Sequence, residues 1–334
     1  MRYLALVSLM MRTLIVVFLF AVMAPSLSVA GPLADLLKQW ADRQQQQDDT
    51  PEPTPEPEPD SETITITRQL LIDGKKRTYI LYAPVNYGSY RPLVIAFHGA
   101  GGRPMIFASR MFLREMADEH GYVLALPKGV RKSWNADSLE ESASGYAERT
   151  NINDIGFVQA IIYDARAQAS MGPDVYLMGM SKGGMMAYHA ACEIDDIDKI
   201  AVVAGTLSSE DCTSLKEVDL LHIHGTKDEN VPFDGGRGQY TGGDTIWPPV
   251  KRGLDLWRKK NGVGPPTLKR AAQDTLCTVE KSNDGKTRME VCLVTPGGHA
   301  WPGIEPSQRQ IDNDIYVSPH FIATDYIAEF FNGG

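Results

Sequence analysis

The chain has 334 residues, a formal net charge of −9 and four cysteines. No basic stripe or cluster stands out along it, so a nucleic-acid partner has no electrostatic support. Most of the acidity is local, because residues 41–62 hold eight acids and one base, which leaves the remainder close to an ordinary balance.

Residues 1–30 read as a secretory signal peptide. Arg2 and Arg12 supply positive charge, Thr13–Met23 is a short apolar run, and Ser28-Val29-Ala30 places small residues where a signal peptidase cuts. Met11–Ala30 is a complete signal by itself. The rival reading is a membrane anchor, but the run is short for a span of about 20 residues. Cleavage is therefore expected, with no stable membrane insertion afterwards and a secreted or periplasmic location. No cysteine flanks the cut, which argues against a lipoprotein anchor. Residues 31–61 read as a disordered Pro/Glu-rich linker. Gln44–Gln47 is a glutamine run, and Thr50–Pro59 alternates proline with threonine or glutamate. Proline lacks a backbone donor and like charges repel, so this stretch predicts an extended, solvated chain. Residues 62–334 are then the folded domain, a normal size for one α/β unit.

Within that domain, Thr63–Leu71 and Thr78–Ala83 predict an antiparallel hairpin about Asp73-Gly74. Leu93–Phe97 is a compact apolar strand that runs into His98-Gly99-Ala100-Gly101-Gly102. A helix is expected over Met105–His120, with Pro104 in its first turn and Gly121 as its stop. Tyr122–Leu126 predicts another strand. Lys128–Asn153 lacks periodicity and is long enough to be a functional loop. Asp154–Ala169 predicts an amphipathic helix. Val175–Met178 predicts a strand that meets Gly179-Met180-Ser181-Lys182-Gly183-Gly184, followed by a helix over Lys182–Glu193. Strands at Ile200–Ala204, Leu220–Ile223, Cys277–Glu280 and Met289–Val294 follow, with helices over Val250–Asn261 and Ile322–Phe331. The alternation predicts an α/β fold, a mostly parallel central sheet with helices on both faces.

Cys192, Cys212, Cys277 and Cys292 allow three pairings. An even count behind a signal peptide points to disulfides. The local pairs Cys192–Cys212 and Cys277–Cys292 are expected, the second closing a hairpin that turns at Asn283-Asp284-Gly285. No C-x-x-C spacing supports zinc, and no metal or cofactor is expected.

The sharpest chemical signal is Gly179-Met180-Ser181-Lys182-Gly183 between a strand and a helix. A serine hydroxyl becomes a nucleophile only when exposed, oriented and deprotonated as it attacks. A tight strand–helix turn supplies the exposure, and flanking glycines allow the close backbone approach. The plain alternative is an ordinary glycine-rich βα turn. The turn His98–Gly102 supplies backbone N–H groups for an oxyanion, with Ala100 or a neighbour as one donor and Lys182, after the nucleophile, as the other. His98 itself is read as a structural hydrogen-bonder. His299, in Gly297-Gly298-His299-Ala300-Trp301-Pro302-Gly303, follows the last strand in a glycine-rich loop and is the candidate base. Trp301 beside it is a candidate substrate contact or a pocket wall. Asp228, after Leu221-His222-Ile223-His224-Gly225-Thr226-Lys227, is the candidate acid, with Glu229, Asp234 and Asp244 as rivals. The chain order Ser181, Asp228, His299 matches that of acyl hydrolases of this fold.

The set His98–Gly102, Gly179–Gly184, His224–Pro232 and Gly297–Gly303 resembles the secreted polyhydroxybutyrate depolymerase and feruloyl esterase group, close to carbohydrate esterase family one. The resemblance covers residues 75 to 332. It implies the α/β-hydrolase fold, a triad of Ser181, Asp228 and His299, and the two local disulfides. Asn153-Asp154-Ile155-Gly156-Phe157 is similar to a D-D-V-G-F helix start of that group, with Asn153 in place of an acid. Asp154 is read as a cap or elbow support. Lys182 stands where the group often has Asn or Ala, and its side chain is expected on the acyl side, the alcohol side or in solvent. The loops Lys128–Asn153 and Gly235–Pro249 are expected to line the pocket.

The reading implied is a serine esterase acting on feruloyl, acetyl or hydroxyalkanoate esters, carried on a polysaccharide or a polyester. An extracellular poly(3-hydroxybutyrate) depolymerase, a peptidase on the same fold and a non-catalytic carbohydrate or polyester binder are the alternatives. No adhesion module is evident before or after the domain, so soluble esters are expected over crystalline polymer.

Overall fold

The computed structural model describes residues 63–84, 90–136, 145–209, 212, 214, 216–239 and 245–333. The expected signal peptide 1–30, the linker 31–61 and Asp244 lie outside the described residues. The strands in chain order are β1 (Thr63–Ile72), β2 (Lys75–Pro84), β3 (Leu93–Phe97), β4 (Val123–Pro127), β5 (Val175–Met180), β6 (Lys199–Val203), β7 (Asp219–Gly225), β8 (Gly236–Arg237), β9 (Ile246–Trp247), β10 (Thr267–Ala272), β11 (Thr275–Lys281) and β12 (Arg288–Val294). The helices are α1 (Pro104–Arg110), α2 (Leu113–His120), α3 (Tyr146–Arg149), α4 (Asp154–Gln168), α5 (Lys182–Glu193), α6 (Val250–Asn261), α7 (Gln308–Asp312) and α8 (Ala323–Phe331).

Ten strands form one sheet in the order β1-β2-β4-β3-β5-β6-β7-β12-β11-β10. From β4 to β12 every pairing is parallel, whereas β1-β2, β2-β4, β12-β11 and β11-β10 are antiparallel. The central strands are apolar on both faces because both faces are covered. Leu93, Ile95 and Phe97 of β3 enter one core with residues of α4, α5 and α6. Val94 and Ala96 of the same strand enter a second core with residues of α1, α2 and α8. The alternation along β3 thus sorts its side chains into two layers.

Both expected disulfides form, Cys192–Cys212 and Cys277–Cys292. Cys277 and Cys292 are direct register partners on β11 and β12, and Gly285 of the connecting turn takes a φ of 73°, a conformation open to glycine. Among the described residues no helix is long and apolar enough to cross a membrane.

Three expectations needed correction. The helix expected over Met105–His120 is broken into α1 and α2, with Phe112 left-handed at φ 53°. The Met111 carbonyl accepts from the Thr324 hydroxyl of α8 at 2.7 Å, so a tertiary bond competes with helix continuation there. Strand β10 was not expected. Its sequence TLKRAA carries no clear apolar alternation, and its strand form comes from pairing with β11 at the sheet edge. Inside the loop Lys128–Asn153 a short helix, α3, is present.

Candidate active site

Strand β5, in the middle of the sheet, delivers Ser181 at its C-terminal end, and α5 begins at the next residue. Ser181 holds φ 56°, ψ −123°, a backbone conformation that costs a non-glycine residue about 1–3 kcal/mol. Its N–H donates to the Val203 carbonyl at 2.8 Å, which fastens the turn to β6. The turn closes only because its flanks are bare. A β-carbon on Gly179 would lie 2.4 Å from the Gly183 carbonyl carbon, and one on Gly183 would lie 2.1 Å from the Phe97 oxygen. These are approaches no alanine tolerates.

Ser181 and His299 line one cavity of about 630 Å³, and Ala100, Lys182 and Trp301 line it too. Its size suits a small organic group rather than a channel. Asp228 sits behind His299. The His299 Nδ1 is 2.8 Å from Asp228 Oδ2, and the Asp228 side chain is fully buried. A carboxylate only accepts, so Nδ1 carries the proton and Nε2 is the basic nitrogen. The other oxygen, Oδ1, accepts from the N–H groups of Asn230 at 2.9 Å and Val231 at 2.8 Å. Burial opposes the carboxylate's charge, but His299, His224 and the Val231 N–H outweigh it and hold the acid below its ordinary range. Glu229 and Asp234, the described rivals, make no recorded bond to His299.

The loops that carry the acid and the base are fastened to each other. After β7, the N–H of Thr226 donates to Val294 at 2.9 Å and that of Lys227 to Gly297 at 2.7 Å. A β-carbon on Gly225 would lie 2.3 Å from the Gly297 oxygen, so the two backbones touch. Behind Asp228 runs a buried chain that was not anticipated. The Tyr188 hydroxyl is 2.8 Å from His222 Nδ1, His222 Nε2 is 3.1 Å from His224 Nδ1, and His224 Nε2 is 2.9 Å from the Val231 carbonyl. Burial holds both imidazoles below their ordinary range, hence neutral. With His224 Nε2–H donating to a carbonyl, each nitrogen has one role: Tyr188 donates to His222, and His222 donates to His224.

In the turn after β3, Gly101 N–H donates to the Lys132 carbonyl and Gly102 N–H to Gly99. Of Ala100, Gly101 and Gly102, Ala100 alone has no recorded backbone partner for its N–H. His98 is buried, with Nδ1 donating to the Gly99 carbonyl at 2.8 Å and Nε2 accepting from Gly129 N–H at 3.1 Å. Burial lowers its pKa to about 4. It braces the turn, as expected. Trp301 is 0 % exposed, and its Nε1 donates to the Thr324 hydroxyl at 3.0 Å. It walls the cavity and offers no open face, so a stacking role does not fit. Phe107 meets its ring edge-on at 5.7 Å.

Lys182 does not reach solvent. It is 4 % exposed and forms an ion pair with Glu148 of α3, while Trp247 offers its ring 5.5 Å from the ammonium. Burial pulls its pKa down and Glu148 opposes that. Glu148 was missed in the sequence, where nothing but its place in an unpatterned loop marked it. Asp154 proves to be a support and not the cap. It accepts from Arg77 at 2.5 Å and from Asn135 N–H at 2.7 Å, and Asn153 caps α4 by accepting from Gly156 at 2.7 Å. Tyr146 and Trp247 bring both expected loops to the cavity. Among the described residues, no three His, Cys, Asp or Glu side chains gather as metal ligands.

No family model matches the chain. By sequence it is 27% identical over 263 residues to "Putative esterase NocK" of Nocardia uniformis subsp. tsuyamanensis, covering 71% of this chain and 74% of that one. It is 25% identical to feruloyl esterase B of Piromyces equi, covering 63% of this chain and 39% of the relative. The bifunctional acetylxylan esterase/xylanase XynS20E of Neocallimastix patriciarum is 28% identical over 169 residues, covering 49% of this chain and 23% of the relative. The chain spans well under half the length of these last two. Acetyl xylan esterase from Aspergillus awamori superposes with a TM-score of 0.53 at 13% identity, covering 75% of this chain and 98% of that structure. The fold is the α/β-hydrolase fold, and of the group that the motifs resemble, the feruloyl esterases are met by a relative of that name.

Proposed function

We propose that this chain is a serine esterase that hydrolyses carboxylic esters through an acyl-enzyme. The observation that carries the proposal is the 2.8 Å contact of His299 with a buried Asp228, combined with the left-handed elbow of Ser181 on the same cavity. Ser181 Oγ attacks the carbonyl carbon as His299 Nε2 takes its proton. Asp228 holds the imidazole in the Nδ1–H tautomer and stabilises its cation. The oxyanion is met by the N–H groups of Ala100 and Lys182, the latter heading α5, where the helix dipole adds to the donor. Collapse expels the alcohol with the proton from His299, and water then repeats the sequence on the acyl-serine. No step calls for a metal or cofactor.

The substrates we propose are feruloyl- or acetyl-type esters or soluble hydroxyalkanoate esters, in keeping with the names of the relatives. Secretion is the setting we propose, with residues 1–30 as signal, 31–61 as linker and 62–334 as the catalytic domain. Two disulfides in a domain of this kind fit an oxidising compartment. The test pairs fluorophosphonate labelling with turnover of methyl ferulate, acetylated xylan and a matched anilide. Labelling at Ser181 with ester turnover well above amide turnover is expected. Labelling elsewhere, or amide turnover in excess, would overturn the proposal.

A further inference from the structure

The cavity mouth has a charge pattern that ester hydrolysis alone does not explain. Besides Lys182, which Glu148 pairs, Arg103, Arg110, Arg131, Lys132 and Arg309 line the cavity, and among the described lining residues there is no aspartate or glutamate. This occurs in a chain of net charge −9. The five cations come from three segments: the start of α1 and its end, the turn 129–133, and α7. Three of them are exposed guanidiniums that meet no carboxylate among the described residues. Arg103 makes no hydrogen bond or ion pair among the described residues. Arg110 reaches only the Glu305 backbone carbonyl, at 3.3 Å. Arg131 lies over the Tyr146 ring at 4.0 Å, which fixes its plane while its N–H edge stays available.

Backbone strain marks the same place. Arg131 and Lys132 are consecutive non-glycine residues in the left-handed region, at φ 47° and 59°. Such strain concentrates at ligand-binding turns. The turn is also rigidly placed relative to the reacting centre. Lys132 C=O accepts from Gly101 N–H at 2.8 Å, and Gly129 N–H donates to His98. The segment bearing two cations is thereby bolted to the segment bearing Ala100.

Resting on the esterase reading above, we infer that the preferred substrate carries a carboxylate of its own near the scissile ester, and that the Arg103–Arg131 side of the rim binds it. Guanidinium groups suit this ligand because their paired N–H donors match a carboxylate's two oxygens. Two sources share the chemistry: a uronic-acid unit of an acidic polysaccharide, and the free end of a hydroxyacid oligomer. A cationic funnel also raises the rate of encounter with an anion and loses that advantage as salt screens it.

The test uses the full chain and the 4-nitrophenyl monoester of glutaric acid, with its neutral methyl diester as the matched partner. At low salt, kcat/KM for the anion should exceed that for the neutral ester by roughly tenfold, and the ratio should fall toward one in 0.5 M sodium chloride. Arg131→Glu and Arg103→Glu should each lower that ratio about fivefold or more at low salt. Acetylated glucuronoxylan before and after carboxyl reduction, and a 3-hydroxybutyrate trimer as free acid and as methyl ester, identify the source. Calorimetry with Ser181→Ala protein and the same glutarate pair needs no turnover. If neither ester is hydrolysed, the esterase reading fails and calorimetry alone decides the present one. A low-salt ratio near one, or a ratio indifferent to salt and to both substitutions, overturns it, as does equal binding of the two ligands.

Discussion

Gly183 faces the carbonyl of Phe97 so closely that a β-carbon on it would stand 2.1 Å from that oxygen. The neighbour is backbone of β3, so nothing flexible can give way. We expect Gly183→Ala to destabilise the protein by about 3 kcal/mol or more, since the elbow and β3 must part. Thermal melting checks this, and an unchanged midpoint would show that the elbow is softer than its geometry implies.

Ser181→Ala should lower kcat on a soluble ester by about 10⁴-fold or more and abolish fluorophosphonate labelling, with the melting midpoint kept within a degree or two. Single-turnover acylation surviving in this variant would move the nucleophile elsewhere.

Asp228→Asn should cost about 10⁴ in kcat, because the amide no longer selects the Nδ1–H tautomer of His299. Asp234→Asn, at an exposed position, should cost less than threefold or so by the same measure. Reversal of the two effects would mean that the acid is misassigned.

Stability should fall on acidification below neutral pH. His98, His222 and His224 are buried and held below their ordinary range, His98 at about 4. In the unfolded chain each titrates near 6.5. Below that pH the unfolded state takes up protons that the folded state refuses, so the stability present above about pH 6.5 is lost as pH drops toward the folded values. His98 alone should remove about 2 kcal/mol between pH 7 and pH 5. Urea midpoints at the two pH values read this out, and a flat profile would contradict the neutral assignments.

The paired substitution Cys277→Ala with Cys292→Ala should cost about 3 kcal/mol, the chain-entropy value for a loop of this length, given a sequence separation of 15. Denaturant unfolding of the variant tests the magnitude. Non-reducing peptide mapping of the native protein tests the connectivity, and a fragment joining Cys192 to Cys277 or Cys292 would refute it.

The parts that sequence made legible are those where local pattern and chemistry coincide. Ser181 sits in a glycine-framed turn after an apolar run, and steric need writes itself into Gly179 and Gly183. The helix expected over Val250–Asn261 forms with those bounds, and Gly262 ends it in the left-handed conformation at φ 57°. What stayed hidden depends on tertiary partners. Met111 looks helical until the Thr324 hydroxyl engages its carbonyl. Lys182 looks free to face the acyl side, the alcohol side or solvent until Glu148, 34 residues away, meets it in the interior. Nothing local distinguishes His222 from an ordinary strand residue, and His224, though it opens a motif, gives no sign there of a buried chain. Their roles come from Tyr188 on a different element.

The backbone bonds between the turn of Asp228 and the loop of His299 have a consequence for redesign. Thr226, Lys227, Val294 and Gly297 lock these two segments into one body across β7 and β12. Neither can drift without carrying the other, so distortion elsewhere leaves their mutual spacing intact. Ile106, Arg110 and Tyr146 belong to other segments of the cavity wall. The molecule is thereby divided into a fixed chassis and an interchangeable mouth, and a library confined to the mouth can retune which esters enter without rebuilding the machinery that cuts them.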